Sequence, residues 1–272
     1  MIYSHDIPKG GKLYFGNTAK LKREIEAVSA EVFENNEFDE IVTPYFSYHQ
    51  LEALNSKDLI KLRDTDNRNL ALRGDSSIDI IRLVLKRLKS SSKKWFYIQP
   101  VFRYPSVEIN QIGAEIIDGN LDEAIKLNKL LMDKIGLTPT IQISNIKIVE
   151  LVKKLTNIDD EKLKKENLES FSKIEWLKKL SYIHSKEDLE DLSIYPEEIK
   201  NELKRIKNLI ENLDFEIVLS PLFYAEFNYY NGIFYRMFIN NSLLSMGGEY
   251  EFQNLKAVGF SLYTDNIIEN KS

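Results

Sequence analysis

The order of secondary structure that the sequence predicts is that of an α+β domain interrupted by a block of helices. Residues 17–145 alternate helix-like and strand-like segments, residues 146–213 are rich in Lys, Glu, Leu and Ile, and strand-like segments return from Phe215. Strands on both sides of a helical block suggest one sheet built from two parts of the chain. We therefore predict a core domain of residues 1–145 and 214–272, with residues 146–213 as a helical insertion.

The first part of the core reads as a helix, a short strand and a second helix. Asn17 and Thr18 can cap the first helix, in which apolar residues recur at helical spacing. Residues 41–45, IVTPY, read as a short strand that a proline stops, followed by a polar loop or hairpin. The second helix is predicted to start at Ser76 or Ser77.

Two strands, a third helix and another strand follow. The segments WFYIQPVFRY and NQIGAEII read as strands joined by a short loop. The third helix is predicted over residues 120–135, because two acidic residues occupy its first turn, where the helix dipole favours them, and a glycine follows its end. The segment PTIQIS is the last strand before the insertion.

The insertion and the end of the chain have different patterns. Pro196 stands where a helix would begin, and an apolar stripe follows it at Ile199, Leu203, Ile206, Ile210 and Leu213. Such a stripe is typical of a helix face packed on a core. The remaining chain reads as four strands, DFEIVLSP, GIFYRMFI, SLLSM and KAVGFSLY.

Composition excludes several classes of function. The 37 basic and 42 acidic residues give a net charge of -5, which argues against a chain that holds a polyanion over its whole surface. The chain has no cysteine, and its three histidines, at positions 5, 49 and 184, show no ligand spacing. No secretory signal and no long apolar run is apparent. We expect a cytoplasmic protein that uses no metal or cofactor and binds neither nucleic acid nor membrane.

The hairpin around residues 99–116 carries polar side chains among apolar ones. Centring its loop on Val107 places Arg103 opposite Gln111 and Gln99 opposite Glu115, all on one face. Gly113 would then leave open space between them. Such a face suits a ligand with an amine and a carboxylate, since the arginine can bind the carboxylate and Glu115 the amine. The alternative is a solvated face on which the charges only pair across the strands.

Several segments, in chain order, resemble motifs of histidyl-tRNA synthetase, a class II aminoacyl-tRNA synthetase. EVFENNEFDEIVTPYF is similar to its first motif, LALRGDSS to its LRPEGT signature, and VFRY with QIGAE to its second motif. FNYYNGIFY, GGEYEFQNL and AVGFSLYTDNI are similar to its LDYYTRTVFE, GGRYDxL and third motif. The resemblance implies a class II synthetase-like core, with a mainly antiparallel sheet flanked by helices and a homodimer formed through the first-motif region.

The resemblance also implies an amino-acid pocket. Carried over position by position, the family's pocket falls on Asp75, Ser77, Arg103, Gln111, Glu115, Tyr229 and Tyr230. We hypothesise that Glu115 and Gln111 hold the amine of the ligand and that Arg103 holds its carboxylate. The two tyrosines would contact its side chain, and the aspartate and serine would close the rim.

Positions at which the synthetase handles ATP carry other residues here. The synthetase's arginines fall on Ala225, Glu249 and Asn266, and a third-motif glycine falls on Tyr263. The loop of the second motif is reduced to YPSVEI, without basic residues. Binding and stabilising phosphate charge requires cations. A retained pocket without these cations resembles the regulatory subunits of ATP phosphoribosyltransferase.

That resemblance implies a subunit without catalysis of its own. It would assemble with the short form of the catalytic subunit in histidine biosynthesis and bind histidine or a related amino acid. Two alternatives stay open. The chain could be a truncated ligase that activates an amino acid for a non-tRNA acceptor, or a scaffold dimer with an empty pocket.

Overall fold

A computed structural model describes residues 2–52, 54–159, 161, 163, 171–223 and 230–271. Its main element is an eight-stranded sheet with the order β1-β5-β6-β11-β10-β9-β7-β8. These strands are β1 (Asp39–Glu40), β5 (Lys94–Arg103), β6 (Val107–Ile117), β7 (Thr140–Asn145), β8 (Ile217–Leu219), β9 (Tyr230–Ile239), β10 (Ser242–Phe252) and β11 (Leu255–Tyr263). The β1–β5 and β7–β8 pairs are parallel, and the other five are antiparallel. The mainly antiparallel sheet that the resemblance implied is confirmed.

A small antiparallel sheet lies between the first two helices along the chain. Its order is β2-β4-β3, formed by Phe46–Ser47 (β2), Lys61–Arg63 (β3) and Asn69–Leu72 (β4). The predicted strand at residues 41–45 is wrong, because only its two ends bond to neighbouring backbone, and side chains satisfy the backbone groups of Thr43 between them. The amide of Thr43 donates to Oε1 of Gln99 at 3.0 Å, and its carbonyl accepts from the buried Arg73 at 2.7 Å.

Seven α-helices lie within the described residues. They are α1 (Gly16–Asn35), α2 (Ser77–Leu83), α3 (Leu121–Ile135), α4 (Ile146–Thr156), α5 (Glu175–Leu180), α6 (Glu197–Glu211) and α7 (Thr264–Lys271). The predicted starts near Ser77 and after Asn120 and Pro196 are confirmed. The first helix instead begins one residue before the predicted cap, and Thr18 donates its hydroxyl to the carbonyl of Phe15 at 2.9 Å.

The helices divide between the two faces of the large sheet. Helices α1, α3 and α7 contact one another or strands β5, β6, β10 and β11. Asn128 of α3 donates to the hydroxyl of Tyr235 on β9 at 3.0 Å, so Tyr235 points to the α3 face and its neighbour Phe234 points to the other. Helix α2 contacts β6 and β10 on that second face. Within the described ranges, no helix is both long and apolar enough to cross a membrane.

Three α-helices among the described residues, α4, α5 and α6, lie between β7 and β8 along the chain. Those two strands nevertheless lie side by side, with Ile141 opposite Ile217 and Ile143 opposite Leu219. The apolar stripe predicted for α6 is buried at Ile199, Leu203, Ile206 and Ile210. The chain therefore leaves the sheet after β7, builds a helical segment with a packed face, and returns to the same sheet edge.

Candidate amino-acid binding site

The floor of the candidate site is a row of paired residues on the α2 face of the sheet. Glu115 of β6 pairs with Gly259 of β11, which pairs with Gly248 of β10, which pairs with Phe234 of β9. Two glycines thus separate the carboxylate from the aromatic ring. A Cβ atom added at Gly259 would lie 1.9 Å from Oε2 of Glu115. The glycine is therefore required for the carboxylate to lie across β11.

The predicted register of the β5–β6 hairpin is wrong. Arg103 pairs with Val107, Gln99 with Gln111, and Trp95 with Glu115, because the turn consists of residues 104–106 alone. The displacement is an even number of residues, so the side chains keep their faces. Gln99 is nevertheless not available to a ligand, because its amide nitrogen donates to the side chains of Thr43 and Ser76 at 3.1 and 3.0 Å.

The open space predicted beside Gly113 is filled. Tyr97 pairs with Gly113, and a Cβ atom added to the glycine would lie 2.4 Å from the phenol ring and its oxygen. The hydroxyl of Tyr97 is 2.6 Å from Oγ of Ser261 on β11. The glycine therefore makes room for a buried tyrosine.

Glu115 is a fully buried carboxylate with one unsatisfied oxygen. Its Oε2 accepts a hydrogen bond of 2.6 Å from the hydroxyl of Tyr250, a residue that the sequence did not predict for the site. Within the described part of the chain, its Oε1 is buried and has no hydrogen-bond partner. Burial raises the pKa of Glu115 to about 8, although the nearby hydroxyls of Ser77 and Tyr250 act to lower it. A cationic group beside Oε1 would reverse that shift.

The start of α2 brings Asp75 and Ser77 to the same carboxylate. Both residues are buried, and Ser77 and Asp75 each influence the pKa of Glu115. Burial raises the pKa of Asp75 itself, while Arg103 lowers it. Gln50 holds the preceding turn, since its Oε1 accepts from the amides of Gly74 and Asp75 at 2.7 and 2.8 Å. This turn is therefore fixed by side-chain bonds.

Arg103 supplies the positive charge of the site. Its Nη1 is buried and finds no hydrogen-bond partner among the residues that the structure describes. A Cβ atom added at Gly74 would lie 2.8 Å from this nitrogen, so the guanidinium lies against the turn before α2. The site thus combines a cation and two carboxyl groups, with an unsatisfied nitrogen and an unsatisfied oxygen.

Of the three remaining predicted site residues, the structure describes Gln111 and Tyr230. Gln111 is half-buried and pairs with Tyr263 of β11. Tyr230 is buried, pairs with Tyr250, and stacks on Phe234 with ring centroids 5.7 Å apart. The predicted residue Tyr229 lies outside the described residues.

The structure describes three of the four positions at which this chain carries other residues than the synthetase's nucleotide-handling ones. Glu249 accepts two hydrogen bonds of 2.8 Å from Arg205 of α6. Asn266 donates to the carbonyl of Leu243 at 2.7 Å, so its amide joins α7 to β10. Burial raises the pKa of Tyr263 to about 12, while Arg103 lowers it. Ala225, the fourth such position, lies outside the described residues.

One further cation lies on the α2 face, and the sequence did not predict it. Arg236 of β9 occupies the row that runs through Met246 and Ser261 to Gly113. Its guanidinium lies 3.5 Å from the ring centroid of Phe223 and donates to Gln142. Burial lowers its pKa. A charge pattern in sequence could not have indicated this position, because only strand pairing brings β9 to the same face as Arg103.

Comparisons with known proteins agree on the family. A family model for histidyl-tRNA synthetase matches residues 15–173. A relative from Wolinella succinogenes, named ATP phosphoribosyltransferase regulatory subunit, is 39% identical over 277 residues, which cover 99% of this chain and 96% of the relative. A relative of the same name from Helicobacter hepaticus is also 39% identical, with 99% of each chain covered.

Solved structures agree on the fold. A crystal structure from Bacillus halodurans, described as an ATP phosphoribosyltransferase regulatory subunit/histidyl-tRNA synthetase, matches with a TM-score of 0.87 at 21% identity, covering 99% of this chain and 84% of that chain. The class II synthetase-like core that the sequence predicted is therefore confirmed. Together with the two full-length relatives, these findings show that the chain belongs to the family of ATP phosphoribosyltransferase regulatory subunits.

Proposed function

We propose that this protein is a regulatory subunit without catalysis of its own, which assembles with the short-form catalytic subunit of ATP phosphoribosyltransferase in the cytoplasm and binds histidine. The observation that carries the ligand proposal is the placement of two complementary unsatisfied atoms on one face: Oε1 of Glu115 and Nη1 of Arg103. Buried charged groups are costly unless paired, so both atoms favour a ligand of matching charge.

The ligand's ammonium group would donate to Glu115 and Gln111, and its carboxylate would accept from Arg103. Tyr229 and Tyr230 would contact the imidazole, while Asp75 and Ser77 would border the ammonium group. Because the pKa of Glu115 is about 8 without a ligand, the carboxyl is largely protonated at neutral pH. Binding of an ammonium group would expel that proton, which calorimetry in buffers of different ionisation enthalpy measures directly.

The absence of ATP chemistry is supported by the bonds of the substituted residues. Asn266 binds a backbone carbonyl, and Glu249 binds Arg205 on the opposite face of the sheet from Glu115, so neither supplies the positive charge that phosphates require. The rival ligase would exchange pyrophosphate into ATP when an amino acid is present. We expect no exchange, and a rate above background would reject the regulatory function.

The proposed homodimer would form through the first-motif region, residues 31–46. Large apolar side chains are exposed there at Val42, Tyr45 and Phe46. We also propose that residues 1–145 with 214–272 form the core and residues 146–213 a helical insertion. The return of the chain to β8 beside β7 supports this division.

Two experiments test the proposal. Purification of the tagged protein from native cells should recover a short-form ATP phosphoribosyltransferase. Its consistent absence would contradict the proposed assembly with that subunit. Calorimetry with histidine should give heat that Glu115→Ala abolishes. No heat from either protein, with the partner still recovered, would favour the scaffold with an empty pocket.

A further inference from the structure

Arg205 and Glu249 join the helical segment to the strand that carries Tyr250. Nη2 of Arg205 donates to both carboxylate oxygens of Glu249, each at 2.8 Å. Nη1 of the same guanidinium donates to Glu202 at 2.7 Å, and Glu202 also accepts from Asn145 at 2.8 Å. The guanidinium is therefore held between two carboxylates, one on its own helix and one on the sheet.

The Glu249 carboxylate also spans an irregularity in the sheet. The β9–β10 register shifts between Gly248 and Tyr250, and Oε2 of Glu249 accepts from the amide of Ile233 at 2.8 Å. A Cβ atom added at Gly232 would lie 1.9 Å from this oxygen. A carboxylate that satisfies a backbone amide at a bulge replaces the missing ladder bond and holds the local twist. Glycine at 232 leaves room for that contact.

The bulge determines where two site residues stand. Directly after the shift, Tyr250 pairs with Tyr230, and Tyr250 donates to Glu115 on the opposite face from Glu249. The chain of direct contacts thus runs from Arg205 through Glu249 and the bulge to Tyr250 and Glu115.

We infer that Arg205, which lies outside the binding cleft, is a positioning residue for the ligand site, acting through the Glu249-stabilised bulge on Tyr250. This inference rests on the proposed binding function and adds a route by which α6 influences it. Because linkage is reciprocal, occupancy of the site must in turn change the stability of the contacts between α6 and β10.

The test uses the full chain with Arg205→Gln, Arg205→Lys and Glu249→Ala. Lys204→Gln, an exposed neighbour on α6, is the matched control. We expect Arg205→Gln to weaken histidine binding about tenfold, as for loss of one charged hydrogen bond. Arg205→Lys has one terminal nitrogen and cannot reach Glu202 and Glu249 as the two nitrogens of the guanidinium do, so it should recover little. Glu249→Ala removes the acceptor of the Ile233 amide and should weaken binding at least as much as Arg205→Gln.

Hydrogen exchange of the ligand-free protein gives a second readout. Arg205→Gln should speed amide exchange in residues 230–234 and 248–252 while leaving α3 unchanged. Unchanged exchange there, or wild-type affinity in folded Arg205→Gln, overturns the inference. Lack of histidine binding by the wild type would instead refute the proposed function, and exchange would still decide the role of Arg205.

Discussion

Replacing Glu115 by glutamine should have opposite effects on stability and on ligand binding. The unfolded carboxyl ionises near 4.5 and the folded one near 8. A pKa raised by folding gives stability that is fully present below 4.5 and is lost as the pH rises to 8. At about 1.4 kcal/mol per pH unit, ionisation of the unfolded state costs the wild type about 3 kcal/mol at pH 7.

Glutamine has the same shape and does not ionise. It can still accept from Tyr250, so the variant escapes this loss. Glu115→Gln should therefore unfold roughly 5–10 °C above the wild type at pH 7, with little difference at pH 4.5. The same change should weaken histidine binding roughly 10- to 100-fold, because a charge-assisted hydrogen bond to the ligand is removed.

The assay is thermal unfolding by circular dichroism between pH 4.5 and 9, together with calorimetry of histidine binding at pH 7. The exposed Glu211 at the end of α6 provides a matched control, and Glu211→Gln should change neither quantity. The reasoning is refuted if Glu115→Gln is less stable than the wild type at pH 8, or if the stability difference does not grow with pH.

Three further changes test other parts of the site. Tyr250→Phe should leave Oε2 of Glu115 unsatisfied and weaken histidine binding about tenfold, with the carboxyl pKa moving higher still in NMR titration. Gly259→Ala should displace the Glu115 side chain and abolish binding in calorimetry, although the far-ultraviolet spectrum is retained; tight binding would contradict the close contact. Arg73→Gln should lower the free energy of unfolding by about 3–5 kcal/mol in urea titration, because the buried guanidinium donates to three carbonyl oxygens; a loss below about 1 kcal/mol would show that they find other donors.

Periodicity and chain order predicted the fold well because they report on burial. The stripe on α6 and the alternating strands β5, β6 and β11 occupy the predicted elements, since apolar residues at these spacings have one face to bury. The strand expected at residues 41–45 does not form because the backbone of Thr43, at its centre, bonds to the side chains of Arg73 and Gln99, which are distant in sequence. Local pattern carries no information about such partners.

Sequence pattern likewise predicted some features of the candidate site and missed others. Alternation predicted that Arg103 and Glu115 share a face, and a four-residue change in register left that face unchanged. The sequence did not indicate that Gly113 accommodates Tyr97 or that Tyr250 donates to Glu115. Each contact joins residues on different strands or across a hairpin, so its geometry depends on the turn and on pairing.

The sequence by itself determined the α+β architecture, the polar side chains within apolar strands, and the family to which the order of motifs belongs. Only the tertiary structure decided which polar groups are satisfied and which are left for a ligand. It also showed why a glutamate stands at position 249: the guanidinium of Arg205 lies beside it in the folded chain. The physical reason is that the energy of a buried charge depends on its neighbours in space, and folding selects those neighbours.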